Sequence, residues 1–345
     1  MTRSVEYSVE HGDVLETAVD VLVLKHAQRF YGVDLLVASR LGERGRPIDD
    51  LRLRPGTQRL VDGAGVVAAR TVLFVGTPPL AEFGYAEIRQ FSRDVLVRLA
   101  SDPSVRSVGM TLHGAGYGLD EVESALAQIG GCMDAVRGDR IPPSLERIRV
   151  IEKDDDRCRR VYRALQHVLP PHWSPAGRLD DRRGWILHAP SPTWRGELGS
   201  HGVTAPSDPP AGLVDKPRAF VAMPFAKDME DVYHFGISGP VRDQGFVCER
   251  IDQETFTGDI VSQLKRRIET SAIVIADLTG ANPNVYLEIG YAWALGRPCI
   301  LLIRGDERPR FDVQGERHIR YETIKELEIK LGREIAGLRA GGRIG

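Results

Sequence analysis

The sequence predicts two α/β domains, each a mainly parallel sheet covered by helices on both faces. Three observations carry that expectation. Short apolar runs rich in β-branched residues alternate with stretches of helical spacing along most of the chain. A length of 345 residues suits two cores better than one. A segment dense in Pro, Gly and Ser interrupts the alternation at 170–216 and leaves blocks at 1–169 and 217–345.

In the first block, strands are expected at Val5 to Glu10, Val19 to Leu24 and Thr71 to Val75. A helix from Tyr85 to Ala100 follows, with Ile88, Phe91, Val95, Leu96 and Leu99 on one face. A strand at Ser107 to Leu112, a glycine-rich turn, a helix at Leu119 to Val136, a strand at Arg147 to Glu152 and a helix at Asp154 to Val168 complete a three-layer α/β/α arrangement. The connector 170–216 holds three of the four Trp residues, Trp173, Trp185 and Trp194. Disordered linkers are poor in aromatics, so Gly184 to His188 reads either as a strand added to a domain or as extended linker.

In the second block the strands are Ala219 to Met223, Phe246 to Ile251, Ala272 to Ala276 and Cys299 to Ile303. The helices run up to Gln244, from Thr257 to Thr270, from Val285 onward and from about Tyr321 to Leu338. A five-stranded, doubly wound parallel sheet of flavodoxin-like type is expected, and such sheets bind ligands at the carboxyl ends of their strands. Those ends gather Met223 to Phe225, Arg250 to Asp252, and Asp277 to Glu288.

Composition excludes several classes. With 42% hydrophobic and 27% charged residues and a net charge of −2, there is no general drive toward nucleic acid or anionic membrane. No run approaches a membrane span, and the N-terminus lacks a signal-type apolar core, so a cytoplasmic protein is expected. Cys132, Cys158, Cys248 and Cys299 form no CxxC or Cys/His spacing, which favours reduced core thiols and no metal. The nine histidines form no HExxH, and neither a GxSxG elbow nor a GxxxxGKS loop occurs.

Two segments carry candidate chemistry. In AIVIADLTGANPNVYLEIGYAWALGRP, 272–298, Asp277 ends a buried strand and Glu288 follows on the next helix, beside a crevice. Both placements also occur for purely structural reasons, as caps or complements to a helix dipole. In HGAGYGLDEVESA, 113–125, Gly114, Gly116 and Gly118 let the backbone approach an anion at a helix N-terminus, with Tyr117 among them. The same glycines also suit a tight connection with no ligand.

The ordered set RAFVAMPF, ADLTG and NPNVYLEIGYAWALGRP resembles the nucleoside 2-deoxyribosyltransferase-like branch of the TIR-like superfamily over about Pro217 to Leu338. The resemblance implies cleavage of N-glycosidic bonds. It implies Glu288 as the carboxylate that stabilises or attacks the developing ribosyl cation, and Asp277 as the strand-end acid that holds the ribose or serves the leaving base. Met223, Pro224 and Phe225 match the ligand-contacting loop, and Asp252 is a third acid at the same edge. Asn282 and Asn284 are candidates for ribose or phosphate contacts, with turn and N-cap roles as the alternative, the cap falling to Asn284. Tyr291 and Trp293 read as packing residues, and Arg304, Arg308 and Arg310 as a solvated loop.

HGDVLETAVDVLVLK, HGAGYGLDEVESA and IRVIEKDDDRCRRVYRAL together resemble a macrodomain, or the similar N-terminal domain of leucine aminopeptidases, over Val5 to Leu169. Where macrodomains that process ADP-ribose have an Asn-rich segment, this chain has Lys25, His26, Ala27 and Gln28. A ligand sensor or assembly module is therefore expected rather than a hydrolase. The pairing resembles sensor-plus-effector defence proteins of prokaryotes. It implies an NAD+ hydrolase with NAD+ as substrate, no further cofactor, a nucleotide-type signal at the N-terminal domain and homo-oligomeric assembly. A deoxynucleotide 2-deoxyribosyltransferase or hydrolase and a nonenzymatic nucleotide sensor stand as the competing readings.

Overall fold

The computed structural model describes residues 4–27, 29–63, 65–79, 82–115, 118–169, 183–188, 216–251 and 260–344. The chain divides into two compact units, 1–115 with 121–213 and 116–120 with 214–345. No helix among the described residues is long and apolar enough to cross a membrane.

The first unit comprises β1 (Ser4–His11), β2 (Val21–His26), α1 (Gly32–Glu43), β3 (Gln58–Asp62), β4 (Thr71–Gly76), α2 (Tyr85–Leu99), β5 (Ser107–Thr111), α3 (Glu121–Arg137), β6 (Arg147–Glu152), α4 (Asp155–Val168) and β7 (Arg183–His188). Its seven strands lie in the order β3-β4-β2-β5-β6-β1-β7. The inner strands β4, β2, β5, β6 and β1 are parallel, whereas β3 and β7 pair antiparallel to β4 and β1. All six residues of β2 are buried, as a strand with neighbours on both sides and helices above and below requires.

One core forms where α1 lays Val37, Ala38 and Leu41 against Leu22, Leu24, Val72 and Phe74. Elsewhere α2 and α3 pack so closely that a Cβ on Gly131 would lie 2.0 Å from the Arg89 carbonyl oxygen. Arg89 then closes that crossing with a fork to Asp134 at 2.7 and 3.0 Å. The parallel strands and the helices from Tyr85 onward fall where the apolar pattern places them. The elements α1 and β3 lie in a stretch for which the pattern names nothing.

Gly184 to His188 forms a strand rather than linker. It pairs with β1 in the register Tyr7↔Trp185, and Trp185 is 3% exposed, with its ring near Tyr7 and Tyr162 at 6.4 and 5.4 Å. The remainder of 170–215, with Trp173 and Trp194, lies outside the described residues.

The second unit comprises β8 (Arg218–Ala222), a π-helical segment (Val232–Ser238) continuing into α5 (Gly239–Asp243), β9 (Val247–Glu249), α6 (Ile260–Thr270), β10 (Ile273–Asp277), α7 (Pro283–Ala294), β11 (Cys299–Arg304), β12 (His318–Tyr321) and α8 (Ile324–Ala340). All five strands are parallel, in the order β12-β11-β10-β8-β9. The fifth strand is His318–Tyr321, a stretch for which the sequence pattern names no strand and whose last residue was expected to open the final helix. That helix begins at Ile324, with Thr323 as its N-cap.

Alternate residues of the sheet, among them Val221, Met223, Cys248, Ile273, Ile275 and Leu302, meet the π-helical segment, α5 and α8. The opposite face is covered by α6 and α7, which pack on each other and on the strands. Gly245 ends the preceding helix at φ +81, as expected of a helix stop.

The packing of Trp185 makes β7 part of the first unit's stability. Trp185→Ala is expected to cost about 3–5 kcal/mol of unfolding free energy. Urea titration checks this, and an unchanged midpoint would show that β7 adds nothing to the sheet.

Candidate functional site

In the second sheet the chain leaves β8 toward β9, then returns to the other side of β8 to form β10. The strand order therefore reverses between β8 and β10, where open α/β sheets hold their ligands. Around that point lie Met223 to Phe225, Arg250 after β9, Asp277 at the end of β10, and the loop leading into α7.

That loop is tightly held. Gly280 and Ala281 both take left-handed conformations, φ +72 and +50, the first suited to glycine and the second strained for alanine. Asp277 Oδ1 accepts the Thr279 amide at 3.0 Å, Thr279 Oγ1 accepts the Arg304 amide at 3.1 Å, and Glu307 accepts the Gly280 amide at 2.8 Å. Asn282, with extended backbone, then caps α7 by accepting the Asn284 amide at 3.0 Å, with Pro283 at the first helical position. The N-cap is thus Asn282 and not Asn284, and the helix starts two residues before Val285, because proline supplies the φ of a first helical residue and lacks an amide hydrogen to satisfy. Asn284 is exposed one residue further on.

Glu288 lies in the second turn of α7. Its neighbours in the buried stripe are Val285, Ile289 and Ala292, at the spacing of one helix face turned to the sheet. A carboxyl group thus takes a position that the rest of the stripe gives to apolar side chains. It is 6% exposed and has no hydrogen-bond or ion-pair partner among the described residues. Burial pushes its pKa up to about 8, so at neutral pH it is mostly the uncharged acid.

Asp277 has a different environment. It is fully buried, and Oδ2 accepts the Tyr321 hydroxyl at 2.7 Å while Oδ1 holds Thr279. It has the strand parity of Ile273 and Ile275, so its side chain lies on the face covered by α5 and α8, whereas Glu288 comes from the helix on the opposite face. The two acids reach the sheet edge from opposite sides. Burial, with Asp277 beside it, also raises the Tyr321 pKa.

Met223 is 2% exposed and belongs to the hydrophobic core, while Pro224 and Phe225 are half-buried at the edge. Asp252 lies outside the described residues. Tyr291 and Trp293 are not core residues: Trp293 is 39% exposed, and the Tyr291 hydroxyl donates to Glu269 at 2.5 Å. Arg304 contacts Asp228 at 3.5 Å, and Arg310 stacks 5.6 Å from the Tyr286 ring centroid.

A cluster that sequence reasoning missed lies on the same edge. Arg250 donates to both oxygens of Glu230, at 2.8 and 3.1 Å, and its guanidinium lies 4.2 and 5.2 Å from the ring centroids of Tyr233 and Phe225. His234 Nε2 lies 3.5 Å from Glu230. His234 and Arg250 together hold the Glu230 carboxyl down at about 2. The Glu230 to His234 spacing of four residues was the one signal in the sequence; Arg250 reaches them only through the fold.

Gly114, in the first unit, and Gly118, in the second, take φ of +86 and +87, conformations that glycine adopts without cost, while Gly116 and Tyr117 lie outside the described residues. His113 is 1% exposed and neither ring nitrogen has a partner, so burial, with a smaller push from Lys25, holds its pKa well below the usual imidazole value. Lys25 pairs with Asp34 at 3.3 Å, both buried, and His26 Nδ1 bonds the Leu53 backbone; Gln28 is outside the described residues. The four cysteines are free, and Cys299 alone of them is only partly buried.

The chain matches no family model and no curated protein. Solved structures similar to it include the CMP N-glycosidase BcmB of Clostridium botulinum, 24% identical, covering 34% of this chain and 98% of that one with a TM-score of 0.29. The 2-deoxyribosyltransferase of Leishmania mexicana is 16% identical over 34% of this chain and 97% of its own, with a TM-score of 0.27. The Oceanobacillus iheyensis macrodomain with ADP is 13% identical over 49% of this chain and 98% of its own, with a TM-score of 0.38. None of the three is named as a TIR domain. The architecture described above rests on strand order and register.

The environment of Glu288 gives a pH-dependent expectation. Its folded pKa, about 8, is above the ordinary carboxyl value, so between roughly pH 4.5 and 8 the folded state holds a proton that the unfolded state has released. Stability is therefore lost as pH rises through that window. Glu288→Gln is expected to stabilise the protein increasingly from pH 5 to pH 8, by on the order of 3–5 kcal/mol at most, at about 1.4 kcal/mol per pH unit between the two values. Thermal melts of both proteins across that range check it; a constant difference would place Glu288 in a solvated or paired environment.

Proposed function

We propose that the second unit is a nucleotide N-glycosidase with NAD+ as its substrate, and that Glu288 is its central catalytic group. The observation that supports the reading most is a single unpaired carboxyl group in an apolar helix stripe beside the strand-order reversal. A carboxyl there costs stability, and no partner among the described residues offsets the cost. Such a group suits a reaction in which positive charge develops near it.

In the reaction, the bond between the ribose anomeric carbon and the base nitrogen breaks and its electron pair leaves with the base. The ribosyl group becomes cationic, and the Glu288 carboxylate stabilises it through space or bonds to the anomeric carbon before water replaces it. The cationic pyridinium of NAD+ next to the site lowers the Glu288 pKa and favours the anion that this step needs. Asp277, enclosed by Tyr321 and Thr279, acts as a positioning residue for the loop that caps α7. Asn282 contributes through that cap, and Pro224, Phe225, Asp252 and Asn284 line the substrate, with Met223 supporting them from the core.

The macrodomain-like unit is proposed as the sensor or assembly module, taking a nucleotide-type ligand at the loop of Gly114, Gly116, Tyr117 and Gly118. In this reading the chain is a homo-oligomeric, cytoplasmic effector of prokaryotic antiphage defence, and ligand binding shifts it between inactive and active assembly. The Lys25 and His26 segment, occupied by the Asp34 pair and the Leu53 backbone, supports binding rather than hydrolysis at this unit.

Glu288→Gln is expected to lower nicotinamide release from NAD+ by at least about a thousandfold, the scale of losing a central catalytic group. Chromatography of the products, with cytidine and deoxycytidine monophosphates tested in parallel and with extract of phage-infected cells added as a source of signal, checks this. Base released from deoxycytidine monophosphate but not from NAD+ would transfer the site to the deoxynucleotide reading. Release that survives the substitution would remove Glu288 from the mechanism.

A further inference from the structure

Arg250 is a cation with an unusual set of partners. It is 12% exposed at its side chain, so its donors are largely withdrawn from water. One terminal nitrogen is fully used by the Glu230 carboxylate, and the aromatic rings of Tyr233 and Phe225 fix the plane of the guanidinium. Among the described residues, the other terminal nitrogen faces the Met223 sulfur, at 3.8 Å. A thioether is a weak acceptor, so among the described residues a charge-assisted donor at the strand-end crevice is left poorly satisfied.

The charges around that donor narrow what would satisfy it. Glu230 is ionised throughout the physiological range and cancels the charge of Arg250, with His234 near the same carboxylate. The pair therefore offers a phosphate no net attraction. What it offers side by side is a strong donor on Arg250 and a carboxylate acceptor on Glu230, which is itself 42% exposed and open to a ligand. A neutral group with an acceptor and a donor on adjacent atoms complements that arrangement, and a primary carboxamide is such a group. Its oxygen would replace the thioether as acceptor for Arg250, and its NH2 would donate to Glu230. The half-buried ring of Phe225 provides a stacking surface for the heterocycle that carries the amide.

We propose that Arg250 and Glu230 form the specificity element of the site and recognise a carboxamide-bearing aromatic leaving group. The inference rests on the glycosidase reading above for its substrate, but its recognition chemistry is separable from turnover. Arg250 lies against Tyr233 and Met223, which belong to the face of the sheet covered by α5 and α8, and holds Glu230 there, whereas Glu288 comes from the helix on the opposite face. The base would then be gripped on one side of the edge and the ribose would lie over the other.

The test is equilibrium binding to the full chain carrying Glu288→Gln, with NAD+ and nicotinic acid adenine dinucleotide as the two probes. They differ only in carboxamide against carboxylate. NAD+ is expected to bind about tenfold more tightly, because one carboxylate oxygen of the acid must face Glu230. Adding Glu230→Gln is expected to level or reverse that preference, since the repulsion is removed and Arg250 is no longer neutralised. Arg250→Lys, which keeps the charge and loses the planar fork, is expected to weaken NAD+ about tenfold.

Equal binding of the two dinucleotides, failure of both to bind, or a preference that survives Glu230→Gln each overturns the proposal. Wild-type product release separates this from the broader reading. Glu288-dependent cleavage without discrimination leaves the glycosidase standing and removes the specificity element. Discrimination through Glu230 without any cleavage does the reverse.

Discussion

The burial of one unpaired carboxyl group is the constraint around which the second unit is arranged. Glu288 lies where the helical period of α7 calls for an apolar side chain, and its displacement from water raises its pKa to about 8. What fixes its position is the loop that leads into α7. Asp277 anchors Thr279, Glu307 and the Arg304 amide hold the loop, two successive left-handed residues turn the chain, and Asn282 caps the helix that carries the acid. A helix started by one defined cap presents its second turn in one orientation.

The second acid of the pair is placed differently from what adjacency in sequence suggests. Eleven positions of chain separate Asp277 from Glu288, which invites the idea of a catalytic dyad. Strand parity decides against equivalence. Asp277 points with Ile273 and Ile275 toward the face of α8, where Tyr321 closes its second oxygen. A carboxylate with both oxygens occupied and no exposure is suited to holding structure, whereas a carboxyl group with neither oxygen bonded to a described residue is suited to meeting a substrate. Arg250 and Glu230 bring polar groups to the same edge from the face opposite Glu288.

Much of the architecture was legible because apolar runs and helical periodicity record burial directly. VLVLK, IVIAD and CILLIR are strands by composition alone, whereas Trp185 left an added strand and an extended linker equally open until its burial against β1 decided for the strand. The mixed sequence HIRY hid β12, whose exposed edge tolerates polar residues, and nothing in the sequence marked α1 or β3. The cap of α7 was assigned one asparagine too late because Asn-Pro-Asn offers two candidates and only backbone geometry chooses. Of the candidate site, Glu288 was readable from a motif and its place on a helix. The Arg250 cluster was not, since its members come from segments 20 and more residues apart that meet only in the folded chain.

The claim most central to this account is that Glu288 is a desolvated, protonated acid at neutral pH. Infrared difference spectroscopy reads it directly, as the protonated carboxyl band that is present in the wild-type protein and missing in Glu288→Gln. The account predicts that this band persists at pH 7 and disappears with a midpoint near 8. Its disappearance near the ordinary carboxyl value, about 4.3, would contradict the account, because Glu288 would then be an ordinary solvated carboxylate.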